Sequence, residues 1–308
     1  MRVPLPAAMI TTLSAMQMSR IKTLIIGLVL LLSGPLLTGC SALRLAYANG
    51  SQLSWWWLDG YFDFSREQAP QVKQAIDRWF DWHRGTQIGP TTALLAAAGQ
   101  RVVEPTTPEQ TCQWQDRIRE LFEPSLARAI ADFSGHVPGL GEAQFKHLEQ
   151  RYLKANDEMR DEFLQPDAAL RLQESIKRTV ERAERIYGTL ADTQRRVISS
   201  GVTASPFNPE LWLAERQRRQ RDTLQTLRQL VADKADREQR IGALKALVQR
   251  TEVSPNPDYR AYQAKLRIYN CALAAQIHNS TTPAQRLQAR DNLRGWEEDL
   301  RTLVAPGG

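Results

Sequence analysis

Three cysteines, four histidines and a few closely placed carboxylates are the residues of this 308-residue chain whose types and spacing could do chemistry. Cys40 ends the stretch Leu37-Thr38-Gly39-Cys40, where small residues leave a thiol open to modification. Cys112 and Cys271 are the remaining cysteines, an even pair that in an oxidising compartment forms a disulfide and in a reducing one stays as two free thiols. Cys112 shares a helical face with Gln115, Asp116 and Arg119, so a free thiol there would be exposed. His83 closes an apolar stripe made of Val72, Ile76, Trp79 and Phe80, with Asp81 beside it and Asp59 upstream. A histidine held by a carboxylate is a base or a pH sensor; otherwise it is a core residue with one ring nitrogen bonded. The other histidines, His136, His147 and His278, are scattered, and no paired Cys-x-x-Cys or His-Glu-x-x-His spacing offers a metal site. There is no Gly-x-Ser-x-Gly elbow, phosphate-cradling glycine loop or dinucleotide fingerprint, so neither a catalytic nucleophile nor a cofactor is assigned.

The region around Cys40 is better read as a processing signal than as a reactive site. Arg20 and Lys22 precede an apolar run from Leu24 to Leu32, which Ser33-Gly34-Pro35 interrupts. A membrane span needs about 20 apolar residues, more than this stretch supplies. The layout is that of a secretory signal, and its end resembles the bacterial lipobox. The resemblance implies that Cys40 is acylated and becomes the first mature residue. Each buried methylene of such an anchor contributes about 0.8 kcal/mol, and several chains make release slow. Residues 1–39 are thus read as the signal segment, with Met18 as a natural start. Ser41, where an aspartate would retain a lipoprotein in the inner membrane, implies sorting to the outer membrane by the same analogy.

Removing residues 1–39, which carry Arg2, Arg20 and Lys22 and no acidic residue, lowers the net charge from +6 to +3. No concentrated basic face is left, so nucleic acid is not an expected partner. The remaining partners are the membrane, through the lipid, and a protein partner or client.

The elements that must position these residues are helices. After Cys40 nearly every segment repeats at a period near 3.6, and Leu, Ala, Gln, Arg and Glu dominate. The expected fold is all-α: an irregular bundle of eight or nine helices with no sheet. Residues 40–52 form the lipidated N-terminus and a linker, and residues 53–305 the helical domain. The expected helices cover 53–62, 66–83, 92–103, 108–133, 142–163, 166–198, 210–251, 258–277 and 283–303. Pro124 should kink or break the fourth. Residues 134–141 are a loop, and 201–209 an internal linker or hinge. Ser65, Thr107 and Thr282 are each followed three residues later by glutamine, the signature of a capping box at a helix start. Gly141 with Gln144 is a copy without the hydroxyl, and Ala191 with Gln194 reads as a stretch inside a helix. Convergent capping and a weak internal repeat both account for this recurrence. Charged stretches such as Glu215 to Arg221 read as solvated helix faces.

Ten of the 23 aromatic residues lie between Tyr47 and Trp82. On a helix Trp55, Leu58 and Phe62 share one face, and Trp57, Tyr61 and Phe64 another. Trp55, Trp56 and Trp57 span about 200°, too wide for one core stripe. They form either a wedge buried on both sides or a patch for a lipid headgroup layer or a partner.

Taken together, the lipobox, Tyr47-x-Asn49, Trp56-Trp57-Leu58-Asp59-x-Tyr61, Gln68, Trp82-His83-Arg84 and the Thr-Pro-Ala-Gln-Arg run at 282–286 resemble a family of Gram-negative lipoproteins whose domain has no known function. The resemblance implies an exported, lipid-anchored, all-helical protein and brings no activity with it. A looser similarity runs to small periplasmic stress chaperones with Leu-Thr-x-x-Gln repeats. Here Phe64 stands where that leucine would precede Ser65, and no leucine precedes Thr107 or Thr282. The expected role is a periplasm-facing interaction or structural module on the outer membrane. The alternatives are a chaperone-like binder of periplasmic clients, and a cell-wall-acting enzyme using Asp59, Asp81 and His83 in one cleft.

Overall fold

Side-chain caps mark where half of the described helices begin. Thr107 accepts from the backbone N–H of Gln110, whose amide oxygen accepts from the N–H of Thr107; Thr282 and Gln285 repeat the pattern. Proline follows each threonine at the first helical position, where its missing N–H costs nothing. Asp167, Asn208 and Asn256 cap three further helices through their side-chain oxygens.

The computed structural model describes residues 42–304, and residues from Ala46 onward form one unit. Cys40 and the expected signal segment, residues 1–39, lie outside the described residues. Among the described residues there are twelve α-helices, one short 3-10 turn and no strand. They are α1 (Ala42–Ala48), α2 (Gly50–Phe62), α3 (Gln68–Thr86), α4 (Ile88–Arg101), α5 (Pro108–Phe133), α6 (Glu142–Phe163), α7 (Ala168–Tyr187), α8 (Asp192–Thr203), α9 (Pro209–Ala232), α10 (Arg237–Glu252), α11 (Pro257–Ser280) and α12 (Pro283–Thr302). The 3-10 turn, Val137–Gly139, lies between α5 and α6.

The all-α class is as expected, but the count is twelve rather than eight or nine, for three local reasons. Part of the expected linker, Ala42–Ala48, is helical. The helix expected over 166–198 is two helices, because Gly188 takes φ +75° and a new helix starts at Asp192. Ala191 with Gln194 therefore marks a helix start rather than an interior: the Ala191 N–H donates to Gln194 Oε1 at 2.8 Å. The helix expected over 210–251 also divides. Lys234 takes φ +50°, and the Ala235 N–H reaches back to the Leu230 carbonyl, the closing bond of a Schellman turn. Asp236 then caps α10 in a box with Gln239. Pro124, by contrast, lies inside α5, which continues through it to Phe133.

Many of the buried apolar residues gather in two clusters. The larger joins α5, α6, α9 and α10 around Ile130, Phe145, Leu148, Leu227 and Leu244, with Tyr61, Phe62 and Phe64 against it. The smaller joins α7, α8 and α11 around Ala183, Leu190 and Ile198. Helices α5 and α11 pack on each other and are joined by Cys112 and Cys271, whose Cα atoms are 5.4 Å apart. Next to the Gly201 to Pro209 segment, α8 meets α11 closely. The Gly201 carbonyl accepts from the Tyr269 hydroxyl at 2.6 Å, and a Cβ at Gly201 would meet Leu273 at 2.1 Å.

The stretch from Glu215 to Arg221 is not a solvated face throughout. Glu215 is only 4% exposed. Its carboxylate accepts from Arg218, Arg219 and the Ser254 hydroxyl at the start of the turn into α11. Burial pushes this carboxyl up, but hydrogen bonds and charge from Arg218, aided by Ser254 and Arg219, outweigh it and hold it below the usual carboxylate range. Arg218 and Arg250 then share Asp222, so the charges of α9 and α10 form one connected set.

Candidate binding cavity and its aromatic rim

Helix α2 divides its tryptophans between core and solvent. Trp55 is buried, stacks on Phe64 at 5.8 Å and lies under the Lys73 ammonium at 4.6 Å. Trp56 and Trp57 are 62% and 63% exposed. The wedge buried on both sides is therefore not what forms: one indole of three turns inward, and Trp57 leans on Tyr61 with ring centroids 4.9 Å apart. Tyr61 continues into the larger core, beside Tyr152 and under the Arg151 guanidinium. Asp59 closes the helix: its Oδ1 accepts from the Phe64 N–H at 3.1 Å, while Asp63 takes φ +47°.

The Trp82-His83-Arg84 motif on α3 meets Tyr47. The Tyr47 hydroxyl and His83 Nδ1 are 2.9 Å apart, Arg84 lies over the Tyr47 ring, and His83 stacks on Trp79 with centroids 4.8 Å apart. Trp82 lies under Arg128 of α5. Burial lowers the His83 pKa from its ordinary value, because desolvation disfavours the charged ring. Gly50 sits at the same crossing, where a Cβ would come within 2.4 Å of the Phe80 ring. Among the described residues no hydrogen bond joins Asp59, Asp81 and His83 to one another, and no group of three or more His, Cys, Asp or Glu is placed to hold a metal ion.

What α2 and α3 do border, with α5 and α10, is an apolar cavity of about 660 Å³ that opens to solvent. Leu58 of α2, Val72 and Trp79 of α3, Ile130 of α5 and Leu247 of α10 are among its walls. Trp79 satisfies its only donor elsewhere, giving its Nε1–H to the Ser125 carbonyl at 3.1 Å, so it presents only apolar ring to the cavity. Leu53, Trp57 and Leu126 line the cavity and are also 46%, 63% and 39% exposed, so they form its rim. The two ionisable lining residues, Asp132 and His136, sit together where α5 ends. Asp132 is paired with Arg128 at 2.9 Å. Burial lowers the His136 pKa, and the nearby Arg78 charge lowers it further against Asp132. Arg78 is exposed and has no carboxylate partner among the described residues.

The sequence reading missed this site. Its walls were visible as ordinary core stripes, on α3 and at Leu244 and Val248 of α10. That the four stripes face one another across unfilled space depends on helix crossings that no single stripe encodes. His136 carried no motif.

A second histidine site is purely internal. His278 Nε2 donates to the Glu104 carbonyl at 2.8 Å, so its Nδ1 accepts from the Tyr187 hydroxyl at 2.9 Å. Burial pushes the Tyr187 pKa up to about 12 and the His278 pKa down.

Among the described residues no helix is long and apolar enough to cross a membrane. No curated protein and no solved structure matches the chain. A family profile does match, over residues 60–260, a span that holds α3 to α10 and every cavity wall except those from α2 before Gly60. The chain belongs to that family, a family of unknown function (DUF6279).

Proposed function

We propose that this protein is an outer-membrane lipoprotein, anchored at Cys40 and facing the periplasm, that works as an interaction or structural module. One observation carries the reading. The first long helix after Cys40 turns two adjacent tryptophans, Trp56 and Trp57, to solvent beside a buried third. Exposed indoles are costly on a free surface and favourable where an apolar body meets a polar layer, as at lipid headgroups or a partner's rim. Gly50 begins this helix ten residues after Cys40, a short chain separation between the proposed acyl anchor and the indoles. The test is fractionation of cells making Cys40→Ala. Release into the soluble periplasmic fraction is expected, and retention in the membrane after signal cleavage overturns the anchor. Binding of the released form to vesicles should fall further in Trp56→Ser/Trp57→Ser.

The apolar cavity favours a second reading, a chaperone-like binder of periplasmic clients. It requires that the cavity or its rim take an apolar group from outside the chain.

A further inference from the structure

We propose that the exposed face of α2, with the cations that border it, docks on the phosphates of an anionic phospholipid bilayer. The inference rests on the reading of Trp56 and Trp57 as residues that meet lipid, and it adds the charge of that lipid.

Three observations select this occupant. The first is the apolar stripe. At 100° per residue, Gln52, Leu53, Trp56, Trp57 and Gly60 fall on one side of α2, opposite Leu58 and Phe62. Leu53, Trp56 and Trp57 are exposed there. Leu53 and Trp57 also border the open cavity, with exposed Leu126 of α5 on another of its walls, so apolar surface continues beyond the helix. A contiguous exposed apolar surface marks a contact region. Indoles at its centre suit a boundary between a polar and an apolar layer, since each carries an N–H on an apolar body.

The second is the lack of charge on the stripe itself. The one charged residue of α2 is Asp59, and its carboxylate is engaged at the helix end by the Phe64 N–H. Asp63 follows the last turn, at the C-terminal limit of the patch.

The third is a cation on each edge. Trp55 and Tyr61 flank the stripe on opposite sides of the helix. The Lys73 ammonium of α3 lies over Trp55 at 4.6 Å, and the Arg151 guanidinium of α6 lies over Tyr61 at 5.5 Å. Tyr61 in turn leans on Trp57. Neither Lys73 nor Arg151 has a carboxylate partner among the described residues. Lys154, three residues further along α6, is exposed on the Arg151 side. Phosphate oxygens accept charge-assisted bonds from both kinds of cation. An apolar protein partner would leave these cations unmatched, and a zwitterionic bilayer offers them only phosphates already neutralised by its own ammonium groups.

The experiment uses the full chain reconstituted into vesicles of phosphatidylcholine and phosphatidylglycerol in equal amounts. One lipid or the other carries bromine on its acyl chains close to the headgroup, and tryptophan quenching is read. No tryptophan precedes Trp55, so neither a signal segment nor an anchor adds to the signal. The contribution of the two indoles is the difference between the parent and Trp56→Ser/Trp57→Ser. Both brominated lipids should quench it, and phosphatidylglycerol more strongly, each cation favouring that lipid by up to about fivefold. Salt at about 1 M, where the screening length falls to about 3 Å, should remove the excess. Lys73→Gln/Arg151→Gln should remove it too, while quenching by phosphatidylcholine stays. The salt series needs no variant, so the test stands even where a substitution disturbs folding. Quenching of the two indoles by neither lipid would overturn the lipid reading and this inference with it. Equal quenching by the two lipids would leave that reading intact and overturn the inference alone. An excess that survives salt or the double variant would remove Lys73 and Arg151 as its cause and overturn the inference as well.

Discussion

Gln68 and Gln144 hydrogen-bond each other through their side-chain amides, at 3.0 and 3.4 Å, while each amide oxygen also holds the backbone N–H that opens its own helix. Each Nε2 reaches further, to the chain just before the other's cap: Gln68 to the Gly139 carbonyl and Gln144 to that of Phe62. Gln194 and Gln285 build the same clasp, at 2.6 and 3.0 Å, with donations to Ser280 and Thr189. Each clasp ties together two helix starts, 76 and 91 residues apart in the chain. One holds α3 to α6 beside the cavity, and the other α8 to α12 beside the smaller core.

Breaking a clasp should cost more the more deeply it is buried, because unpaired buried polar groups carry the larger penalty. Gln194 is 4% exposed, whereas Gln144 lies in a more open pair. Gln194→Met should lower the unfolding free energy by about 2–3 kcal/mol and Gln144→Met by about 1 kcal/mol. Urea denaturation followed by circular dichroism measures both; equal losses would show that burial does not set the cost.

Glu215 should contribute to acid sensitivity in the carboxylate range. Its folded-state pKa is depressed, so its contribution is present above the ordinary carboxylate pKa and is lost as pH falls through the folded value. Glu215→Gln should flatten the stability curve below about pH 4.5. At neutral pH it should cost about 2–3 kcal/mol, less than the ~3–5 of a fully buried pair, because Arg218 and Arg219 are 23% and 26% exposed. An unchanged acid limb would remove Glu215 from the explanation.

The histidines act at higher pH. The folded-state pKa values of His278, His83 and His136 all lie below the ordinary value. Each therefore favours the folded state above about pH 6.5 and loses that contribution as pH falls below it. His278→Gln should remove part of the stability change between about pH 6.5 and 5, since Gln carries no charge at either end. Thermal melts across that window decide the point; an unaltered slope assigns the change to other groups.

Reduction of the Cys112–Cys271 bond releases a constraint on residues 159 apart in sequence. In the loop-entropy description a closure of that length is worth about 4–5 kcal/mol. Cys271→Ser should lower the denaturation midpoint in non-reducing buffer, and dithiothreitol should bring the wild type to the same value. A wild type indifferent to reductant would contradict a stabilising role.

The sequence displayed the helices well where a cap spoke for them. Thr107 and Thr282 marked the starts of α5 and α12 because a hydroxyl, a proline and a glutamine stand at fixed offsets. The break at Asp236 passed unseen because an aspartate there does the work of that hydroxyl, and Lys234 adopts a left-handed conformation usually left to glycine. The solvent exposure of Trp56 and Trp57 followed from angular spread only in part: helical geometry says that three adjacent indoles cannot share a core, not which of them leaves it. The cavity and the glutamine clasps were illegible, since each depends on side chains brought together from distant helices.

The most direct test of the anchored-module reading is the mass of the N-terminal peptide from the membrane-extracted native chain. A peptide beginning at Cys40, with diacylglycerol on its sulfur and an acyl group on its amine, is the expected result. A peptide that begins elsewhere, or a Cys40 found with an unmodified thiol in membrane-bound protein, would contradict it.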